Sequence, residues 1–384
     1  MFVVSTQSPF SMPYRLSLAA SLFILFSYGC RTVKTPNLST PETNNTTAII
    51  TQEGFLTCFE PGTSLNGQPV WCEASAVVFD GKNLIFANDK DMPAGQSPVF
   101  MKTPDNLTDS TQSPTYLTRL VFSAGHKYED FAQTPDHRFI LLATAFDRVK
   151  PNSHDWDGYS TILYWRTGDE QHPMVLAPND TSRTSIAYRQ RIAQVLANDE
   201  FPGEIPYFKV EGLAATDRQL LFGIREEGKA YDNFKYRAKI IGVSYKIEKK
   251  GDLERIRLSD DWKIVNDFVI TKADSTLPQP LALSSLEYDP YHNRFWMLTS
   301  QEANGQLDAY LWTATSDDLY ASKPFILVRD GQGQPLRVGH KAEDVTPLDD
   351  HRLLIISDDD RVRTTVNGRT RQSNQAAYTI VTIK

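Results

Sequence analysis

The chain has 384 residues, of which 40% are hydrophobic and 11% aromatic, and its formal net charge is −7 at pH 7. This length suits a single repeat domain, and the hydrophobic fraction is enough to form a core. The negative charge, with no basic stripe to neutralise phosphates, argues against nucleic-acid binding. We therefore expect a monomeric globular protein that has no nucleic-acid partner.

The N-terminus is typical of an export signal. Arg15 precedes LSLAASLFILFSYG, an apolar run that is short for a membrane span and ends at Cys30. A start at Met12 instead of Met1 gives the more ordinary signal length. We predict a signal peptide over residues 1–29, with translation beginning at Met1 or Met12.

The residues Ser27-Tyr28-Gly29-Cys30 resemble the lipobox of bacterial lipoproteins, in which the cysteine is lipidated after cleavage. Gly29 fits that pattern, whereas Ser27 stands where leucine is usual. Arg31 is not the aspartate associated with inner-membrane retention. The resemblance implies an exported envelope lipoprotein, anchored at Cys30 in the outer membrane and facing the periplasm or the exterior. Residues 30–47 are rich in Thr, Asn and Pro and predict a flexible tether.

Two further cysteines, Cys58 and Cys72, follow the tether. If Cys30 carries lipid, these two remain as a pair in an oxidising compartment, and we predict that they form a disulfide. Two buried thiols are the alternative. The disulfide would tie the start of the folded domain to its first repeat.

One pattern recurs along the chain: an acidic residue, a short apolar stretch, a polar turn, and an apolar run that ends at a small residue. The copies open at Glu73, Glu129, Glu211, Ser285 and Glu343. Each copy predicts two short strands joined by a turn of hairpin chemistry. The intervals between copies hold about two more strands each, and four-stranded units that repeat radially are typical of a β-propeller.

We therefore predict an all-β propeller over residues 48–384, with five repeats recognised and with five or six blades. The last copy is followed by one clear strand, AYTIVTI, so an N-terminal strand within AIITQEGFLTCF is expected to complete that blade and close the ring. Between the second and third copies, TSRTSIAYRQRIAQVLANDE has apolar residues at helical spacing. This stretch predicts one short helical insertion.

Lysines repeat together with the glutamates. Residues two apart on a strand point to the same face, so Lys127, Lys209 and Lys341 should each lie beside the glutamate that follows. Because first strands line the channel of a propeller, Glu73, Glu129, Glu211 and Glu343 are candidate metal ligands, and the lysines are candidate anion contacts. Repetition in several blades favours the alternative, in which these charges pair and hold the blades in register.

The positions after each small residue differ between copies and are candidates for a more specific site. Asp89, Asp358 and Asp359, together with Asp360, offer the oxygen ligands that Ca²⁺ prefers. Arg225 could bind a phosphate or carboxylate with two parallel hydrogen bonds. Acidic turn residues that face water are the alternative. No Walker loop, HExxH, GxSxG or paired CxxC motif is present, so no catalytic residue is assigned.

The segments KVEGLAATDRQLLFGIRE and KAEDVTPLDDHRLLIISDDD resemble the repeats of bacterial extracytoplasmic propellers, in particular the phytase-like group with esterase-like activity and related propeller families of unknown function. The likeness runs from Glu73 to Asp360, and Asp130 and Asp344 replace two glycines of the pattern. It implies a hydrolase of phosphate or carboxylate esters. The alternative is a non-catalytic platform that binds a protein, glycan or small ligand.

Overall fold

The computed structural model describes residues 46–109, 112–251, 253–303 and 306–384, which form a five-bladed β-propeller. The first strand of each blade contacts the first strand of the next, and blade 5 returns to blade 1. The predicted all-β propeller is confirmed, with five blades. The predicted signal peptide and Cys30 lie outside the described residues. Within the described ranges, no helix is long and apolar enough to cross a membrane.

The blades are antiparallel sheets of four or five strands. Blade 1 contains Ala74–Phe79, Leu84–Asn88, Val99–Lys102 and Thr115–Tyr116. Blade 2 contains Tyr128–Gln133, Phe139–Thr144, Ile162–Arg166 and Met174–Val175. Blade 3 contains Tyr207–Ala215, Gln219–Ala230, Asn233–Lys250, Leu253–Leu258 and Lys263–Asp267. Blade 4 contains Ala282–Asp289, Arg294–Ala303, Gln306–Thr315, Ile326–Leu327 and Arg337–Val338. Blade 5 contains Ala342–Pro347, Arg352–Ser357, Gln375–Ile383 and the N-terminal strand Ala48–Thr57.

Short elements connect the blades. Two small hairpins pair Ser64–Leu65 with Gln68–Pro69 and Thr365–Val366 with Arg369–Thr370. The α-helices are Leu120–Ala124, Ile186–Val195, Ile270–Ala273 and Ser316–Tyr320, and the 3₁₀ turns are Pro104–Asn106 and Asp157–Tyr159. The predicted helical insertion is confirmed as Ile186–Val195, and its Ile192 packs into the core between blades 2 and 3.

The second strands carry apolar residues on both faces because neighbouring blades cover both sides. Hydrophobic clusters of buried residues lie between successive blades around the ring. Phe222 of blade 3, for example, belongs to the same cluster as Phe139 of blade 2, and both are fully buried. A strand that is buried on both faces has a continuous run of apolar residues. This explains the apolar run at the end of each repeat.

The N-terminal strand closes the ring as predicted. Ala48–Thr57 pairs antiparallel with Gln375–Ile383 and becomes the outermost strand of blade 5. Cys58 follows this strand directly and forms the predicted disulfide with Cys72, at the entrance to blade 1. Closing a loop of this length in the unfolded chain stabilises the fold by roughly 3 kcal/mol. The disulfide therefore reinforces the junction at which the ring closes.

Candidate functional site

A β-bulge occurs at the same point of the first strand in every blade, where the register with the second strand skips one residue. The bulged residues are Ser75, Glu129, Glu211, Ser284 and Glu343. Bulges re-aim the side chain of the extra residue. Here they bring three buried glutamates together, since Glu129, Glu211 and Glu343 each offer a carboxylate oxygen within 4.8 Å of the others.

The observed strand register corrects the sequence alignment of two repeats, those of blades 1 and 4. Glu73 lies two residues before the bulged Ser75, so it is equivalent to Lys127 and not to the glutamates. In blade 4 the residue equivalent to the glutamates is Ser284, and Ser285 is the next residue. A bulge adds a residue without changing the apolar pattern around it, so the sequence shows no sign of the shift.

The lysines contact the converged glutamates. The Lys209 Nζ contacts the Glu211 carboxylate and lies 3.4 Å from Glu129 Oε1. The Lys127 Nζ lies 3.6 Å from the same Glu129 oxygen, and the Lys341 Nζ lies 2.9 Å from Glu343 Oε1. Burial lowers the pKa of Lys209, an effect that Glu129 opposes. These ammonium groups already supply positive charge where a metal ion would bind the three glutamates.

Arg225 is buried between blades 3 and 4, with 2% of its surface exposed. Its Nη1 lies 2.9 Å from Glu211 Oε2 and donates hydrogen bonds to the Leu283 carbonyl and the Ser300 hydroxyl, both at 3.1 Å. These contacts give Arg225 a structural role that joins the two blades. Its expected contact with a ligand stays a prediction, and a ligand would have to replace one of these partners.

Asp147 and Arg148 extend the charged network outwards, and the sequence interpretation missed both. The Lys127 Nζ lies 3.1 Å from Asp147 Oδ2, and Arg148 Nη2 lies 2.7 Å from the same oxygen. Burial acts to raise the pKa of Asp147, but Arg148 and Lys127 outweigh it and lower that pKa to about 2. The Arg148 guanidinium also lies over the Tyr159 ring, 4.4 Å from its centroid.

A second group of carboxylates, the acidic corner, lies between blades 5 and 1. It comprises Glu73, Asp89, Asp358 and Asp360. Glu73, Asp358 and Asp360 each offer an oxygen within 4.8 Å of the others. Burial raises the pKa of Asp358 well above its usual value, and the negative charges of Asp89 and Glu73 raise it further. Burial also raises the pKa of Asp89.

Two lysines partly neutralise the acidic corner. Lys90 contacts Glu73, and its Nζ lies 2.9 Å from Asp89 Oδ1. The Lys341 Nζ lies 3.3 Å from Asp360 Oδ1, although it also serves Glu343. Four carboxyl groups therefore share two lysines, one of which also contacts Glu343, and this excess of carboxyl groups distinguishes the corner from the glutamate ring.

Backbone hydrogen bonds position the acidic corner. The Asp89 N–H donates to the Glu73 carbonyl, and the Asp358 N–H donates to the Lys341 carbonyl, both at 3.0 Å. These bonds place each aspartate just beyond the end of a second strand. The fully buried Arg371 donates to the carbonyl of Asp360 at 2.8 Å and therefore holds the following loop. Nothing in the repeat pattern marks Arg371, because it lies outside the repeats.

Asp359 does not join the acidic corner, although the sequence made it a candidate metal ligand. Its Oδ2 lies 2.7 Å from His340 Nδ1 and accepts a hydrogen bond from the Thr364 hydroxyl at 2.6 Å. Its Oδ1 accepts from the Lys341 N–H at 3.0 Å. Both oxygens of Asp359 are thus engaged in holding the loop, and its expected role as a metal ligand stays a prediction.

Asp130 and Asp344 follow the bulged glutamates of blades 2 and 5, and each carboxyl group is close enough to shift the pKa of the other. Asp130 Oδ2 accepts from the N–H groups of Leu213 and Leu286, at 2.7 and 3.3 Å. Burial and the neighbouring Asp344 raise the pKa of Asp130 well above its usual value. Two neighbouring buried carboxyl groups favour a state in which one of them is protonated, because two adjacent negative charges repel each other.

The hydrogen bonds of Asp344 identify the protonated partner. Asp344 Oδ2 accepts from the Val77 N–H at 2.6 Å, and Oδ1 accepts from the Ser285 hydroxyl at 2.8 Å and from the Val345 N–H. Both oxygens of Asp344 are acceptors, whereas Asp130 Oδ1 has no hydrogen-bond partner among the described residues, so we assign the proton to Asp130. The pair links blades 2 and 5 to blades 1, 3 and 4 and therefore connects the whole ring at its axis.

Blade 3 has glycine at the position of these aspartates for a steric reason. A Cβ atom on Gly212 would lie 2.9 Å from the Leu286 Cβ and 3.0 Å from the Gly223 Cα. The first strands of blades 3 and 4 approach too closely for a side chain at this point. Glycine or aspartate after the repeated glutamate thus reflects how closely each blade approaches its neighbour.

No protein-family model matches the chain, and no curated protein matches it. Solved structures with some likeness include a glycosyl hydrolase from Bacteroides ovatus, at 9% identity over 86% of this chain and 94% of that chain, with a TM-score of 0.39. A protein of the GH130 family of mannoside phosphorylases matches at 10% identity over 85% and 93%, with a TM-score of 0.41. A β-fructofuranosidase from Microbacterium saccharophilum matches at 10% identity over 61% of this chain and 53% of its own, with a TM-score of 0.36. Scores and identities this low carry no argument about activity.

Proposed function

We propose that the protein binds a divalent cation, Ca²⁺, at the acidic corner and acts with it as a hydrolase of phosphate or carboxylate esters. The observation that carries this proposal is the convergence of Glu73, Asp358 and Asp360, whose carboxylate oxygens lie within 4.8 Å of one another, with Asp89 nearby. Oxygen ligands of this kind are those that Ca²⁺ prefers. The resemblance of the repeats to phytase-like propellers supports the same class of reaction.

The charge balance of the acidic corner suits a cation. Asp358 is 3% exposed, and its raised pKa reflects a buried carboxylate that lacks sufficient positive charge around it. Lys90 contacts Glu73 and Asp89, and the charge of Lys341 offsets only part of the effect of burial on Asp358. A bound cation would offset the repulsion among these groups.

Cationic side chains at the same mouth could bind the anionic part of a substrate. When bound, Ca²⁺ would polarise the phosphoryl or carbonyl oxygen of the ester and lower the pKa of a bound water. The side chains of Lys127 and Arg148 are 23% and 41% exposed, and Asp147 orients both. The charge of Lys127 also opposes the effect of burial on the pKa of Asp89, a member of the acidic corner. These two cations would orient a phosphate or carboxylate group towards the corner.

We expect millimolar Ca²⁺ to raise the melting temperature of the protein. At about 100 times the Kd, a ligand specific for the folded state stabilises it by about 2.7 kcal/mol. Asp358→Asn and Asp89→Asn should each reduce the shift, because each removes a carboxylate charge from the corner. Differential scanning fluorimetry during a calcium titration measures the effect, and p-nitrophenyl phosphate and p-nitrophenyl acetate then test for calcium-dependent turnover.

The matched control for this titration is Asp217→Asn. The Asp217 side chain is 74% exposed and pairs with the surface residue Arg218, outside the acidic corner. The control should keep the wild-type calcium shift. If calcium does not change the melting temperature of the wild type, this result contradicts both the metal site and the metal-assisted reaction.

A non-catalytic binding platform is the second candidate. Its support is the pairing of Lys127, Lys209 and Lys341 with the ring glutamates, which satisfies these charges without any ligand. In this case the mouth would bind a protein, glycan or small polar molecule without chemical change. A calcium-dependent melting shift with no turnover of either ester would favour this function.

We also propose that the protein is an outer-membrane lipoprotein attached through Cys30. The proposal rests on the lipobox resemblance and on the residues before it, all outside the described part of the chain. The mass of the mature protein purified from membranes should exceed that of residues 30–384 by a lipid group. Cys30→Ala should abolish this increment, and a mature wild-type chain without added mass would contradict the anchor.

A further inference from the structure

Two neighbouring cavities lie on the outer side of blades 2 and 3, away from the channel residues described above. Their volumes are about 370 and 890 Å³, and Leu120, Val121, Met174 and Arg255 line both. Both volumes are within the range of 300 to 1,000 Å³ that is typical of small-molecule sites. We call the two together the lateral groove.

One wall of the lateral groove is apolar. It is built from the helix Leu120–Ala124 and from the outermost strand of blade 2, Met174–Val175. Leu120 is 87% exposed, so its side chain is available to a ligand. Tyr164 of the adjacent strand also lines the first cavity. This wall offers contact area to an apolar group.

Another part of the lining is cationic. Arg255 and Arg257 of blade 3 both contact the Asp180 carboxylate, and the Lys250 Nζ lies 3.1 Å from it. One carboxylate therefore faces three cations. Bonds from Arg257 and Lys250 lower the pKa of Asp180, so its charge persists at neutral pH. The Nε of Arg255 is buried and has no hydrogen-bond partner in the described part of the chain.

Two more arginines line the groove. Arg183 lines the first cavity and Arg119 the second, and neither has a hydrogen bond or ion pair with the described residues. Counting both cavities, the arginines are Arg119, Arg166, Arg183, Arg255 and Arg257, and the carboxylates are Asp169, Asp180 and Glu254. The lining thus carries two more positive than negative charges, in a protein whose net charge is −7.

We propose that the lateral groove is a second binding site, which takes a small organic anion with an apolar body, such as an amphiphilic phosphate or carboxylate. The apolar part would lie against Leu120 and Val121, and the anionic group would face Arg183 and Arg255. Guanidinium groups bind such anions through paired, charge-assisted hydrogen bonds. The site does not depend on the calcium-assisted reaction and has its own ligand class.

Octyl phosphate below its micellar concentration is the probe, with binding measured by isothermal titration calorimetry. We expect saturable binding that weakens at high salt, because the exposed charges are screened. Inorganic phosphate lacks the apolar chain, and octanol lacks the anionic group. Each should therefore bind at least about tenfold more weakly than octyl phosphate, a difference of about 1.4 kcal/mol. Equal binding of octanol, or no saturable binding of octyl phosphate, overturns the proposal.

The variants Arg183→Gln and Leu120→Glu test the two walls separately. Both side chains are exposed, so neither substitution should unfold the protein. Each should weaken octyl phosphate binding at least about tenfold, whereas the control Arg218→Gln, at a side chain that is 86% exposed, should bind as the wild type does. Unchanged affinity in both groove variants, or binding that is found only with anionic vesicles and not with free octyl phosphate, contradicts the site.

Discussion

The free energy of unfolding should decrease by on the order of 4 kcal/mol as the pH rises from about 4 to about 7, because of the axial pair Asp130 and Asp344. Burial and the neighbouring Asp344 raise the pKa of Asp130 in the folded protein well above its usual value, whereas an unfolded aspartate titrates near about 3.9. The folded state therefore holds the proton more tightly. The stabilisation is complete below the unfolded pKa and is lost as the pH rises through the folded pKa. Chemical denaturation at a series of pH values measures this slope.

Asparagine at each position of the pair distinguishes the proton donor from the acceptor. Asp130→Asn keeps an N–H donor for Asp344 and an oxygen for the Leu213 N–H, so stability near pH 5 should stay close to wild type and the slope should become shallower. Asp344→Asn turns an NH₂ group towards donors such as the Val77 N–H. It should cost about 1 to 3 kcal/mol at every pH. Equal effects of the two variants would contradict the assigned proton.

Other buried carboxyl groups change the pH dependence of the free energy of unfolding in the same direction. Burial also raises the pKa values of Asp89, Asp358 and Glu287, the last of which lies two residues after Ser285 in blade 4. The slope of the wild type therefore contains several contributions. The difference between the wild type and Asp130→Asn isolates the part that belongs to the axial pair.

Replacing Arg225 with methionine should lower the free energy of unfolding by about 3 to 5 kcal/mol, the usual result of removing one partner of a buried ion pair. The Glu211 carboxylate would lose its nearest guanidinium, and the Leu283 carbonyl and the Ser300 hydroxyl would lose a donor. Methionine retains much of the apolar volume, so the loss reports on charge and hydrogen bonds. Urea denaturation at neutral pH measures it.

A double variant and a control variant at a second arginine test this interpretation. Arg225→Met combined with Glu211→Gln should recover part of the loss, because the neutral amide leaves no buried charge uncompensated. Arg237→Met is the control, since its half-exposed side chain pairs with Glu227, which also contacts Lys239. It should cost no more than about 1 kcal/mol. If Arg225→Met costs no more than the control, Arg225 does not join blades 3 and 4.

The blade pattern was predictable because its determinants are local. A second strand covered on both faces needs an apolar run such as LIFA before Asn88, and a hairpin needs polar turn residues, so both appear in the sequence of each repeat. The N-terminal strand could be placed because the last repeat lacked an outer strand. The disulfide between Cys58 and Cys72 followed from the count of cysteines.

The detail of the channel was not predictable, for two physical reasons. A bulge inserts one residue without disturbing the flanking apolar pattern, which moved Glu73 to the position of Lys127 and away from the glutamates. Contacts across the axis join residues far apart in sequence, such as Asp130 and Asp344, and no periodicity records which blades face each other.

The sequence by itself determined the propeller, its closure and the presence of repeated lysine and glutamate pairs, since each depends on the pattern within one repeat or on the missing strand of another. The tertiary structure alone decided which charges meet. It paired Lys209 with two glutamates, buried Arg225 between blades, and left an excess of carboxylates where Glu73 meets Asp358. The reason is that electrostatic interactions depend on distances and burial, which are set by closing five blades around one axis.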